Sequence, residues 1–201
     1  SDKTEDIIFY LATRGHHPDI GGIYPGSMTP DAKKLDDEGI IFDNFKIRMI
    51  DLTKHERLQK KLNSSKYPAR NPELNIQDIT AQVAANKIGE IQLRKIIEYY
   101  GLDTVLGQMY AIQENAKEAC LGIIKNIKPS NFDMRLDNFH LKLKIKVCSE
   151  SKKINFDFTG SSRESLGNFN APLPITKAVI IYVLRCLINE DIPLNSGILE
   201  P

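Results

Sequence analysis

The sequence predicts an α+β fold: a central antiparallel helical hairpin, strands at the N-terminal end, and a β-hairpin plus helix toward the C-terminus. Three observations carry this reading. Residues 73–127 hold the longest stretch of helical apolar periodicity, broken once at Gly101; residues 140–147 and 153–158 alternate with period two; and short apolar, aromatic runs flank a loop rich in Gly and Pro near the start. With 201 residues, 41% of them hydrophobic, the chain has enough apolar material for a real core.

In chain order, Ile7-Ile8-Phe9-Tyr10-Leu11-Ala12 reads as a buried strand that delivers the loop after Gly15. Residues 32–38 are charged enough for a helical turn, and residues 40–50, with Phe42, Phe45, Ile47 and Met49, read as a second strand. Asp51 or Thr53 is the expected N-cap of a charged surface helix to Leu62, with Glu56 completing a capping-box spacing. Pro72 stands near the start of the long helical segment and Gly101 at its expected C-cap. A second helix follows to about Ile127, and the short link predicts antiparallel neighbours. Beyond Pro129, His140 to Val147 and Lys153 to Phe158 form the expected hairpin with a lysine-rich solvent face. Residues 159–174 are a loop, and residues 175–188 an apolar helix capped at Pro174 or Thr176.

Composition narrows the function classes. A net charge of +1 argues against a nucleic-acid or anionic-membrane partner, and no apolar run approaches the roughly 18 residues of a transmembrane helix. Cys120, Cys148 and Cys186 are odd in number and widely spaced, which points to a reducing cytoplasm rather than a disulfide framework. The polar start, without initiator methionine or secretory segment, reads as a trimmed end. No phosphate-binding glycine loop and no nucleophile elbow is present.

The most chemically loaded stretch is residues 15–31, which holds two of the four histidines. Pro18 disfavours helix at His17, and the glycines permit turns and close approach to a ligand. In extended chain His16 and His17 face opposite ways, so one faces the site and the other away. Asp19 either shares a metal with His16 or orients an imidazole. Ser27 is a turn residue or a hydrogen-bonding group. Arg70, beside Asn71, suits a carboxylate but is equally a surface arginine. Asn168 and Asn170 either make a turn before the last helix or bind substrate. His55 reads as a solvated helix residue and His140 as structural; nothing in their spacing singles out Asp133 and Asp137.

Arg14-Gly15-His16-His17-Pro18-Asp19-Ile20-Gly21-Gly22, Pro25-Gly26-Ser27-Met28, Pro68-Ala69-Arg70-Asn71-Pro72, Ala81-Gln82-Val83-Ala84-Ala85-Asn86, Tyr100-Gly101-Leu102-Asp103, Asp157-Phe158-Thr159-Gly160, Gly167-Asn168-Phe169-Asn170-Ala171-Pro172 and Asp191-Ile192-Pro193-Leu194-Asn195 together resemble the hydantoinase B/5-oxoprolinase family. The likeness is collinear along nearly the whole chain, and the Gly-Ser-Met loop looks most like 5-oxoprolinases. Pro18 departs from it, since relatives often have alanine there.

The resemblance implies an internal fragment of one larger domain, with a strand-loop segment (1–50), a helical segment (51–128) and a hairpin, loop and helix (129–201). It implies ATP-dependent opening of a cyclic amide. A hydantoinase A type partner, fused or separate, binds ATP and phosphorylates the amide oxygen, and the B part hydrolyses the activated ring with a metal-activated water. His16 would be one ligand of a divalent metal, zinc or manganese, whose other ligands lie upstream. His17 and Asp19 would move or orient protons. Ser27, Arg70, Asn71, Asn168 and Asn170 would shape the substrate site. The full-length protein would be a cytoplasmic oligomer, and the fragment alone inactive. Two alternatives share the motifs or the helices: a component of acetone carboxylase type, and a non-catalytic interaction scaffold.

Overall fold

The computed structural model describes residues 7–27, 29–136, 138–167 and 170–201. Among these residues six α-helices and one three-stranded antiparallel sheet make the fold α+β. The described residues form two compact units, one of those up to Tyr99 with 166–167, the other of those from Tyr100 to Ser165 and from 170 on.

The first unit is built on α4 (Pro72–Tyr100). Asn71 caps it: the Leu74 amide donates to Asn71 Oδ1 at 3.2 Å, and Pro72 takes the first helical position, where its missing N–H costs nothing. Ahead of it lie α1 (Leu35–Glu38), α2 (Met49–Lys54) and α3 (Glu56–Leu62). Leu58 and Leu62, one turn apart on α3, are fully buried against Ile76 and Ile79 of α4, with Ile40 and Ala69 completing the core. Phe42 and Phe45 meet edge to face at 5.4 Å, and the Arg57 guanidinium stacks over Phe45 at 4.2 Å.

The charged surface helix expected over residues 51–62 is two helices. His55 adopts a left-handed conformation (φ 60°) that ends α2 and starts α3, and its ring Nε2 lies 2.8 Å from the Leu52 carbonyl. Asp51 is not the N-cap: it lies in the first turn of α2 and accepts the Arg48 amide at 2.8 Å. Buried among Arg48 and Arg57, its carboxyl is held below the ordinary value, first by the Arg48 side chain.

The two N-terminal strands do not form. Among the described residues no strand precedes Ser130; residues 7–16 and 39–48 join no ladder, and the second stretch bends at Asp43 and Asn44 (φ 46° at Asn44). The reason is their partner. Along residues 11–19 every second residue meets α4 at successive turns: Leu11 lies over Gly89, Thr13 bonds Asn86, Gly15 lies against Gln82, His17 meets Asp78, and Asn75 bonds Asp19. Two extended residues advance about 6.6 Å and one helical turn about 5.4 Å, so an extended chain can keep step with a helix over a few turns. Period-two patterning reports the extended backbone but not what it lies on. Ile40, Phe42 and Phe45 similarly pack into the core that α3 and α4 share, and the Ile40 amide donates to the Ile20 carbonyl at 3.0 Å.

The second unit holds α5 (Leu102–Ile124), β1 (Ser130–Leu136), β2 (Phe139–Cys148), β3 (Lys153–Asp157), α6 (Leu173–Leu187) and a 3₁₀ turn at Ser196–Leu199. The β2–β3 hairpin lies where the alternation placed it, with Ile145 opposite Phe156; β1, with Phe132 opposite Leu143, was not expected. Its polar, exposed sequence hides the pattern. Ala116, Cys120, Leu184, Ile188, Ile192 and Ile198 form the core. Helix α6 starts at Leu173 after Pro172, without a side-chain cap, so neither Pro174 nor Thr176 caps it. The helices of the expected central hairpin run on either side of Gly101 (φ 83°) and belong to different units.

Leu58→Ala should destabilise the first unit by about 2–5 kcal/mol, because it removes a fully buried side chain that cannot be replaced by collapse of a two-helix contact. Urea unfolding of the chain measures it; a loss under about 1 kcal/mol would contradict this core.

Candidate functional site

The loop of residues 15–31 is tied into a knot around Asp19. Its Oδ1 accepts the Gly21 amide at 2.9 Å and the Arg70 amide at 3.4 Å; its Oδ2 accepts the Gly26 amide at 2.9 Å and Arg70 Nη1 at 2.8 Å. Arg70 Nη2 donates at 2.9 Å to the Gly22 carbonyl, so one guanidinium clamps both ends of the turn. Burial pushes the Asp19 carboxyl up, but the amides of Gly26, Gly21 and Arg70 and the Arg70 side chain together outweigh it and hold its pKa below the ordinary value.

Sequence explains why this loop folds here. Gly21 (φ 94°) and Gly22 (φ 93°) take a conformation other residues avoid, and a Cβ on Gly21 would stand 2.3 Å from the Tyr67 carbonyl oxygen. That oxygen accepts the Gly22 amide at 3.0 Å. Ser27 Oγ accepts the Ile20 amide at 2.7 Å and donates to the Gly21 carbonyl at 2.8 Å, a turn-stabilising use of its hydroxyl.

The imidazole of His17 is set by α4. Its Nδ1 lies 3.2 Å from Asp78 Oδ2 and 3.3 Å from Asn75 Nδ2, and its side chain is 15% exposed. Asp78 Oδ2 only accepts and Asn75 Nδ2 only donates, so the two ask opposite things of Nδ1; the charged carboxylate makes the stronger bond, and Asn75 Nδ2 has the Asp19 carbonyl as its nearer acceptor, which favours the tautomer protonated on Nδ1 and leaves Nε2 as an acceptor. Asn75, 1% exposed, donates at 2.8 Å to the carbonyl of Asp19. His16 is exposed and its imidazole makes no hydrogen bond to the described residues, so the two histidines differ as the extended geometry requires.

The remaining site residues divide. Asp19, Ser27 and Arg70 meet in one knot; Asn71 stands beside it as the cap of α4. Asn170 belongs to the second unit, where its carboxamide accepts the Ser165 amide and donates to the Ser165 carbonyl, each at 3.0 Å. Asn168 lies outside the described residues, as do Met28 and Asp137. His140 pairs with Asp133 across β1 and β2.

Asp78, Asn75, Gln82 and Asn86 were missed by spacing arguments alone. Their signal was present: they recur three, four and four residues apart on α4, a polar stripe beside the apolar one of Ile76, Ile79 and Val83. Gln82 and Asn86, with His17, border a cavity of about 300 Å³ walled by Phe42, Phe45 and Ile79.

No group of three His, Cys, Asp or Glu side chains able to hold a metal occurs among the described residues. His16 is exposed and its imidazole is uncommitted among the described residues, so it is open to a metal ion. No helix among the described residues is long and apolar enough to cross a membrane.

Asp19→Asn should loosen the loop and flatten acid unfolding. A folded-state pKa below the ordinary 3.8 adds stability that is fully present above about pH 4 and lost as pH falls through the lower folded value. Urea midpoints from about pH 7 to pH 2 measure it: the unsubstituted chain should lose more stability over this range than Asp19→Asn. Gly21→Ala should destabilise at every pH, since both backbone and space refuse a Cβ.

Comparison with known proteins gives this geometry its relatives. The chain is 40% identical over 206 residues to 5-oxoprolinase of Dictyostelium discoideum, covering 98% of this chain and 16% of that protein. It is 37% identical to 5-oxoprolinase 1 of Arabidopsis thaliana (97% of this chain, 17% of that one) and 38% identical to 5-oxoprolinase of Saccharomyces cerevisiae (99% and 16%). It thus spans about a sixth of the 5-oxoprolinases it matches. The fold is shared with the ATP-dependent caprolactamase of Pseudomonas jessenii, at TM-score 0.69 and 18% identity over 92% of this chain and 32% of that one. The profile of the family described as Hydantoinase B/oxoprolinase matches residues 2–201, and the chain belongs to that family.

Proposed function

We propose that this chain is part of an ATP-dependent cyclic amide hydrolase of 5-oxoprolinase type, within the half that opens the phosphorylated ring. The observation that carries the reading is His17: an imidazole whose Nδ1 is held by a carboxylate and whose Nε2 is left as a base, beside a small cavity. Likeness to 5-oxoprolinases along 98% of the chain supports a cyclic amide as the substrate class.

In this mechanism a hydantoinase A type half or partner, which binds ATP, transfers the terminal phosphoryl group to the lactam oxygen. Water then adds to the activated carbon. His17 Nε2 takes a proton from that water, and the imidazolium returns it to the ring nitrogen as the C–N bond breaks. Asp78 faces the charged imidazolium and stabilises it. The acyl phosphate left behind reacts with a second water to give the carboxylate and phosphate. Asp19 serves through position: its knot fixes the backbone that carries both histidines. Arg70 is spent on that knot, while Asn71 Nδ2 remains as a donor toward substrate.

A divalent metal, zinc or manganese, would have His16 as one ligand, with the others from the remainder of the protein, and would supply a more acidic water. The free thiols of Cys120, Cys148 and Cys186 fit a cytoplasmic enzyme, which we expect to be oligomeric at full length.

The test is the full-length protein with its ATP-binding half, assayed with 5-oxoproline, hydantoins, and acetone plus bicarbonate. Release of glutamate and ADP from 5-oxoproline is expected. His17→Ala should lower kcat by about 10²-fold or more with the fold intact. His16→Ala should lower the metal content measured at equilibrium. Carboxylation of acetone, or full activity of His17→Ala, would overturn the reading.

A further inference from the structure

We infer that the cavity beside His17 binds the uncharged amide edge and ring of the lactam, and that Gln82 of α4 is the residue that recognises it. This rests on the cyclic amide reading above and names where the lactam sits before its oxygen is phosphorylated.

The cavity of about 300 Å³ lies wholly within the first unit, at the small end of ligand pockets, which run from roughly 300 to 1,000 Å³. Four polar side chains, Thr13, His17, Gln82 and Asn86, meet apolar walls. The half-buried Gln82 carboxamide makes no side-chain hydrogen bond to the described residues, and it is held close: a Cβ on Gly15 would stand 2.9 Å from its Nε2. Asn86 Oδ1 accepts the Thr13 hydroxyl, which fixes that amide and leaves its Nδ2 to donate. His17, protonated on Nδ1 toward Asp78, offers Nε2 as an acceptor.

A cyclic amide is locked cis, so its N–H and C=O lie side by side on one edge. A primary carboxamide presents the same pair, donor beside acceptor, and the two edges can form paired hydrogen bonds. Gln82 is free to do this, and Asn86 adds a second donor for the lactam oxygen. Phe42, Phe45 and Ile79 give the ring methylenes an apolar wall. Among the described residues no Lys or Arg lines the cavity, so a substrate carboxylate is not read here. The pocket therefore selects the ring amide, and any recognition of a charged substituent falls to other groups.

The experiment uses the full-length protein without ATP and 2-pyrrolidone as probe, with affinity read by saturation-transfer NMR and folding checked by thermal unfolding. Gln82→Ala should weaken binding about tenfold, as loss of a paired hydrogen bond in a desolvated pocket predicts. Gln82→Glu, of the same shape but with the donor replaced by a charge, should weaken it at least as much, whereas Gln59→Ala in the separate groove between α3 and α4 should not. Unchanged affinity in both folded Gln82 variants, or no binding of 2-pyrrolidone at all, overturns the inference. If ATP-dependent ring opening persists in that case, the hydrolase reading stands and only the pocket falls; if ring opening is also absent, both fall.

Discussion

Asp19 is the constraint on which the site depends, because both its side chain and its main chain are committed. The carboxylate gathers the amides of Gly21, Gly26 and Arg70 and the Arg70 guanidinium, while its carbonyl accepts the buried Asn75 amide. The first set shapes the loop; the second fastens it to α4. Removing either would leave a buried polar group unpaired, a cost of about 1–3 kcal/mol per group, so the loop has little freedom to settle elsewhere. His17, two residues away, inherits that position.

Helix α4 does three things. Its apolar residues Ile76 and Ile79 close the core with Leu58 and Leu62; its cap, Asn71, sets where it begins; and its polar stripe receives the extended chain that carries the histidines. A chain that is extended but not in a sheet has its backbone groups open on both sides, which suits a segment whose task is to present side chains. Position comes from the helix, and chemistry from the loop. This explains how an exposed histidine and a held one stand next to each other: His16 faces away from α4 and His17 toward it.

How much of this was legible depends on how local each signal is. The α+β class, the Gly101 break, the β2–β3 hairpin and the loop at His16 and His17 follow from period and composition, and the structure has all of them. The N-terminal strands failed because period-two alternation cannot distinguish a strand neighbour from a helix. The break at His55 was hidden because a left-handed histidine carries no sequence mark as clear as glycine. Strand β1 was hidden because its residues, Asn131, Asp133 and Arg135 among them, are mostly exposed and polar. For the site, residues 15–31 could be picked out as a loop with imidazole and carboxylate, and Arg70 as a carboxylate holder. That Asp19 is the carboxylate it holds, far away in the chain, was not readable from spacing. Nor was Asp78, whose meaning exists only once the loop lies on α4.

The chemistry proposed for the site depends on α4 holding His17 with Nδ1 protonated and Nε2 free. Long-range proton–nitrogen NMR of protein labelled with ¹⁵N-histidine reads that state directly. The neutral His17 imidazole should show a protonated Nδ1 and a bare Nε2, and Asp78→Asn should change that pattern. A proton found on Nε2, or a spectrum indifferent to Asp78→Asn, would contradict it.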